Sequence, residues 1–263
     1  MKNQIENIFA SQGITRLGYV PISECEIINE RILPRDAKTA IIFIIPYRSS
    51  HDYANDGFSE YARIYDYHKF ASSLYEKVID KLKAETGYNF YGFCDHSPIN
   101  EKLAAAICGL GVIGRNSLLI DSEFGSFIFI GSLITDAEIQ AELQEVSLCI
   151  NCRKCIDACP NQAILEKGID RSICLSAISQ KKTKSDSEKA LLKANNIVWG
   201  CDICQIVCPY NINSKISPID YFKNTRIERV DKQFIESLSD DEFAKYAFSY
   251  KGRKIVLDNI DFV

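Results

Sequence analysis

No apolar run in this chain is long enough to cross a membrane. The two most apolar stretches, Ala40 to Pro46 and Phe124 to Thr135, fall far short of the ~20 residues a spanning helix needs. An excess of basic residues is missing too. The 31 Lys and Arg against 35 Asp and Glu leave a net charge of −4, which gives no global pull on nucleic acid and leaves room for a local basic patch. No secretory leader opens the chain, since Met1 runs into the polar stretch Lys2 to Glu6, so nothing favours an oxidising compartment. Internal repeats and low-complexity tracts are absent as well. Together these absences predict a soluble, cytoplasmic protein whose thiols stay reduced.

Cysteine, by contrast, is plentiful and ordered. Eight of the 11 cysteines fall into two runs, Cys149-x2-Cys152-x2-Cys155-x3-Cys159-Pro160 and Cys174 followed by Cys201-x2-Cys204-x3-Cys208-Pro209. Three thiolates two residues apart can wrap one iron–sulfur cubane corner by corner, while a fourth cysteine followed by proline is turned toward a neighbouring cluster. The spacing therefore predicts two [4Fe–4S] clusters, one on Cys149, Cys152, Cys155 and Cys208, the other on Cys201, Cys204, Cys159 and Cys174. Disulfides and zinc knuckles also use such pairs. The first lacks an oxidising compartment, and zinc has no need of two four-cysteine runs ending in Cys-Pro. Cys25, Cys94 and Cys108 stand apart and read as small buried hydrophobes.

At 263 residues and 46% hydrophobic composition, the chain has length for a core plus a small appended domain. Residues 2 to 11 read as a short amphipathic helix, and Ile14 to Val20 as a strand. Thr39 to Pro46, with five consecutive Ile and Phe residues from Ile41 to Ile45, reads as a strand buried on both faces. Tyr65 to Ala84 repeats apolar residues at helical spacing and stops before Gly87. Tyr88 to Cys94 is strand-like, Ile99 to Cys108 helical, and Ser117 to Leu119 and Ser126 to Ile134 strand-like. The expected fold class is α/β (α+β) for an N-terminal domain over residues 1–140. A small, bacterial ferredoxin-like double-cluster domain is expected over 141–215, and a tail over 216–263 that packs back on the core. The lysine-rich segment Lys181 to Lys193 reads as a solvated surface or a docking face for an acidic electron donor.

Gly109-x-Gly111-x-x-Gly114 matches the dinucleotide fingerprint in letters. The fingerprint needs a strand before its first glycine and a helix after its last. Here the order is reversed, so these glycines are expected to cap a helix and turn the chain.

The remaining motifs, taken together, resemble the epoxyqueuosine reductase family of cobalamin-dependent iron–sulfur enzymes. They are Tyr61-Ala62-Arg63-x-x-Asp66-Tyr67-His68, Asp95-x-x-Pro98 with Glu101, the glycine turn through Asn116, the strand Gly125 to Gly131, and Trp199 to Asn211. The resemblance implies a cobalamin between the α/β domain and the cluster domain, and reduction of the epoxide of epoxyqueuosine in tRNA to the alkene of queuosine. It places Asp95 as proton donor, chemistry that suits an epoxide because its oxygen leaves far more readily once protonated. Asp66 is implied beside Asp95 in catalysis, and His68 in binding the cofactor or substrate. Ser117, Leu119, Ser126 and Ile130 are implied to face the corrin ring, with Asp202 beside a nearby cluster ligand. Implied partners are tRNA and an electron donor such as a flavodoxin or ferredoxin, and no membrane.

The chain departs from the family pattern in four places. Val112 and Arg115 replace an aromatic and a lysine, residues 95 to 98 read Asp-His-Ser-Pro, and Ile203 stands where an acidic residue is usual. Full-length members also continue into helical repeats that help grip tRNA, whereas this sequence stops at Val263. The competing reading is a two-cluster ferredoxin-like electron carrier, or a corrinoid-reducing protein serving another substrate or partner.

Overall fold

The computed structural model describes all 263 residues, Met1 to Val263. They divide into two compact units. The first comprises residues 1–47, 68–114 and 118–150, the second residues 48–67, 115–117 and 151–263. Neither unit is a continuous stretch of chain. Residues 48–67 and the tail after residue 215 both belong with the cysteine-bearing segment.

In the first unit the order is α1 (Lys2–Ala10), β1 (Leu17–Pro21), β2 (Thr39–Pro46), α2 (Tyr67–Thr86), β3 (Phe90–Cys94), α3 (Glu101–Ile107), β4 (Val112–Ile113), β5 (Leu119–Ile120) and β6 (Ile128–Thr135). Four strands form one sheet in the order β1-β2-β6-β3, and every pairing is antiparallel. Helices and strands alternate along the chain, yet the sheet is of the α+β kind. All eight residues of β2 are buried, as a continuous apolar run demands. Ala40, Ile42 and Ile44 pack with Ala104, Ala105 and Ala106 of α3. On the other face Phe43 meets Phe9 of α1 at 4.8 Å and Tyr75 of α2 at 6.2 Å between ring centroids.

The glycine turn behaves as the reversed order requires. It follows α3 and leads into β4, so no dinucleotide fold is present. Gly109 has φ +75°, the left-handed conformation usual just past a helix end. A Cβ on Gly111 would lie 2.5 Å from the Ile120 carbonyl oxygen, so the β4–β5 approach requires glycine there.

The second unit is built from short elements. They are α4 (Lys154–Asp157), β7 (Ile164–Leu165), β8 (Gly168–Ile169), α5 (Leu175–Ser179), α6 (Asp186–Ala194), α7 (Ile203–Ile206), α8 (Pro209–Ile212), α9 (Asp220–Thr225), α10 (Lys232–Ser237), α11 (Asp240–Phe243) and α12 (Arg253–Phe262). The lysine-rich segment is largely α6, closed by a capping box in which Ser185 and Glu188 exchange hydrogen bonds. An apolar cluster joins Phe58 and Ala62 to Val198, Trp199, Phe243, Phe248 and Val256, so the tail supplies core.

A buried cation ties these segments together. Arg63 is 1% exposed and pairs with both carboxylate oxygens of Asp56. It also donates to the carbonyls of Glu228 at 3.0 Å, Phe58 at 3.2 Å and Ala54 at 3.3 Å. Replacing one partner of such a pair strands the other without water. Arg63→Met is therefore expected to destabilise the protein by about 3–5 kcal/mol, read as a lower midpoint in chemical denaturation. An unchanged midpoint would show the network to be dispensable.

Candidate active site and cluster cysteines

In the first unit the chemistry gathers where β3 ends. Asp95 follows Cys94 with φ +61°, a conformation that Asp tolerates better than most residues. The turn is pinned from both sides. The Pro98 carbonyl accepts the amides of Ile28 and Asn29 at 2.8 and 3.1 Å, and Asn100 caps α3 by accepting the Leu103 amide at 3.2 Å. With its backbone turned this way, Asp95 holds its carboxylate 59% exposed, 3.3 Å from Nε2 of His68 in the first turn of α2. An acid and an imidazole are thus placed together at an open position.

Beneath them lies a carboxyl to which sequence reasoning gave no role. Glu101, the first residue of α3, accepts a hydrogen bond from Ser132 Oγ at 2.7 Å, and the Asp95 backbone amide lies near enough to favour its charged form. Burial pushes its pKa up to about 8; the Ser132 bond opposes this and the Asp95 charge adds to it. Ser132 is fully buried on β6, and the Ser97 hydroxyl lies 3.4 Å from its own. The signals for this trio were a serine inside an apolar strand and a glutamate six residues after an aspartate. Neither is specific alone.

Beside this turn the sheet is incompletely covered. Residues 131–135 of β6 are buried, whereas Ile128, Phe129 and Ile130 are only partly so. The Ile130 carbonyl accepts the Cys94 thiol at 3.7 Å, and Phe129 stacks on Tyr47 at 4.3 Å. The result is an apolar ledge next to an exposed acid. Ser126 and Leu119 are 3% and 4% exposed, and the Leu119 side chain belongs to the core.

In the second unit, Cys159, Cys174, Cys201 and Cys204 lie close enough for their charges to interact. Burial pushes the Cys201 and Cys204 thiols up to about 12; Asp202 and the neighbouring cysteines add to the rise. Four cysteines crowded in this way suit an iron cluster, which binds them as thiolates. The Asn116 side chain hydrogen-bonds Cys204, a contact not predicted from the sequence. Cys155 lies on α4, which packs on α7, the helix bearing Cys204. Cys208 precedes Pro209 at the start of α8. No three His, Cys, Asp or Glu side chains are placed to share a single metal ion, and thiolates on different iron corners need not converge so tightly.

Asp202 is buried among these residues. It accepts the Glu60 amide at 2.6 Å and Gln205 Nε2 at 2.8 Å, and burial raises its pKa to about 6. Gln205 in turn accepts Asn211 Nδ2 at 2.7 Å on its carbonyl, and Arg48 donates to the Asn211 carbonyl at 3.0 Å. Asp66 is fixed through its backbone. Its amide bonds the Lys245 carbonyl at 2.8 Å and its carbonyl accepts the Tyr221 hydroxyl at 3.1 Å. Ser117 has φ +60°.

A 4Fe-4S double cluster binding domain matches residues 148–211. An epoxyqueuosine reductase from Cellulophaga algicola is 32% identical over 223 residues, covering 83% of this chain and 73% of its own. The chain belongs to the epoxyqueuosine reductase family. A second member, from Lactococcus garvieae, is 27% identical and covers 99% of this chain and 85% of its own. Solved epoxyqueuosine reductases share the fold. One bound to an epoxyqueuosine-modified tRNA stem loop superposes with TM-score 0.81 at 19% identity, over 99% of this chain and 80% of that one. Another, from Bacillus subtilis, has its catalytic aspartate loop swung out of the active site; TM-score 0.78, 18% identity, 99% and 80% coverage. A reductive dehalogenase, whose structure suggests a mechanism for B12-dependent dehalogenation, shares the fold more distantly. Its TM-score is 0.50 at 16% identity, over 84% of this chain and 32% of that one. The chain thus carries an epoxyqueuosine reductase fold with a double [4Fe–4S] cluster domain, and no helix is long and apolar enough to cross a membrane.

Proposed function

We propose that this chain reduces the epoxide of epoxyqueuosine in tRNA to the alkene of queuosine, with Asp95 as proton donor. The observation that carries the reading is the Asp95 turn, an exposed acid held beside His68 and an apolar ledge in a chain of this family. The net reaction takes up two electrons and two protons, breaks both epoxide C–O bonds and releases water.

A corrinoid, when bound, supplies electrons to the substrate carbon. The half-covered edge at Ile128 to Ile130 suits its large flat ring, with Ser117, Leu119, Ser126, Asp202 and His68 as further candidate contacts. Asp95 delivers a proton to the departing epoxide oxygen. His68, 3.3 Å from the Asp95 carboxylate, orients that group, and Asp66 is assigned a part in proton handling.

The clusters supply the electrons. We assign Cys149, Cys152, Cys155 and Cys208 to one cluster and Cys159, Cys174, Cys201 and Cys204 to the other; the charge coupling among the second four favours their grouping. The donor is a flavodoxin- or ferredoxin-type protein, and the setting is the cytoplasm. Residues 1–140 are proposed to hold cobalamin and substrate, 141–215 the clusters, and 216–263 a supporting tail.

The test is anaerobic cluster reconstitution, addition of cobalamin and gel filtration, followed by assay on epoxyqueuosine tRNA. Corrin absorbance is expected to elute with the protein and queuosine to form. Protein that retains clusters but no corrin would support the electron-carrier alternative instead.

A further inference from the structure

Glu101 is a partly buried acid for which the chemistry above has no use. Its position is nonetheless specific. The carboxyl reaches back from the start of α3 to the Asp95 amide and rests on Ser132, a residue of β6, which is paired on both sides. Ser97, on the far side of the same turn, comes within 3.4 Å of the same Ser132 hydroxyl. The turn that carries Asp95 is thus connected at two points to one fully buried side chain in the middle of the sheet. Such ties matter for a left-handed residue at an open edge.

We propose that Glu101 is the latch of the Asp95 turn, a positioning residue whose carboxyl, anchored on Ser132, holds the Asp95 amide and keeps the acid aimed at the reacting oxygen. The proposal rests on Asp95 being the proton donor. It supplies a physical hinge point for the kind of loop displacement seen in the Bacillus subtilis enzyme. A carboxyl that is largely protonated near neutral pH works here through its carbonyl oxygen, which accepts the amide. Glutamine offers the same oxygen at the same reach, whereas alanine offers none.

Hydrogen exchange on the full-length, cluster-loaded protein reads the latch directly, without turnover. Glu101→Ala is expected to speed exchange of the Asp95 amide by about 10-fold, the worth of one lost hydrogen bond, with β2 and β6 amides unchanged. Its kcat on epoxyqueuosine tRNA is expected to fall by about 10–100-fold at constant KM, as misplacement of a reacting group does. Glu101→Gln is expected to restore both to within about 3-fold. Ser132→Ala, which removes the anchor and leaves Glu101 in place, is expected to accelerate the same amide and decides the matter if Glu101→Ala does not fold.

Unchanged Asp95 exchange in the variant that folds overturns the latch. So does a Glu101→Gln variant as slow as Glu101→Ala, which would make the Glu101 proton itself a reactant. If exchange behaves as expected but Asp95→Asn turns over normally, the latch stands and the role of Asp95 falls.

Discussion

Asp95→Asn is expected to lower turnover of epoxyqueuosine tRNA by about 10²–10⁴-fold, the usual worth of a general acid, while leaving corrin binding and iron content intact. Asparagine is the informative replacement because the position demands it. At φ +61° a bulkier or β-branched side chain would strain the turn, whereas asparagine occupies the same backbone region readily. The Asp95 amide that meets Glu101 also survives the change. What disappears is the transferable proton. Turnover is measured under anaerobic single-turnover conditions with excess reductant, so that electron supply does not limit it. Near-normal turnover by Asp95→Asn would move the proton donor elsewhere, with His68, 3.3 Å away, the first candidate.

The second large effect concerns the cluster cysteines. Cys204→Ala is expected to reduce iron from about eight to about four atoms per chain and to abolish turnover, because one of the two electron stations is lost. Cys204 is half-buried, lies near Cys201 and Cys174, and is hydrogen-bonded by Asn116. Removing one thiolate from such a set opens an iron corner. The control is Cys108→Ala. That thiol is also pushed up to about 12 by burial, but it packs with the core of the first unit, so full iron content and measurable turnover are expected. Iron and sulfide assays with electron paramagnetic resonance separate the outcomes. A Cys204→Ala protein that keeps all its iron would remove this residue from the ligand set.

Some of this was legible in the sequence. The cysteine runs were readable because ligands to a compact cluster recur at short, fixed spacing. β2 was readable because a strand covered on both faces has no polar positions to break its apolar run. The glycine fingerprint could be rejected because its context, helix then strand, is local. What could not be read has a common physical cause. The β1-β2-β6-β3 order pairs Thr39 with Thr135, and no periodicity within either strand encodes the choice of partner. The contribution of residues 48–67 to the cysteine-bearing unit depends on Arg63 meeting Asp56 and Glu228, and a lone arginine in a sequence looks like surface. Glu101 and Ser132 were hidden for the same reason: each is ordinary until the fold sets them 2.7 Å apart.

The interleaved second unit has a consequence for how the protein is made. Phe58 forms a bridge with Trp199, and the Ser59 amide bonds the Trp199 carbonyl at 2.9 Å. At a synthesis rate of ~5–20 residues per second, residues 58 and 59 wait roughly 7–30 s for that partner to emerge from the ribosome. Phe58 and Ala62 lack most of their apolar neighbours during that interval. The first unit faces a shorter delay, since its last strand, β6, is complete by residue 135. A nascent chain stalled between those two points therefore presents a finished sheet together with a cysteine region that still lacks its core.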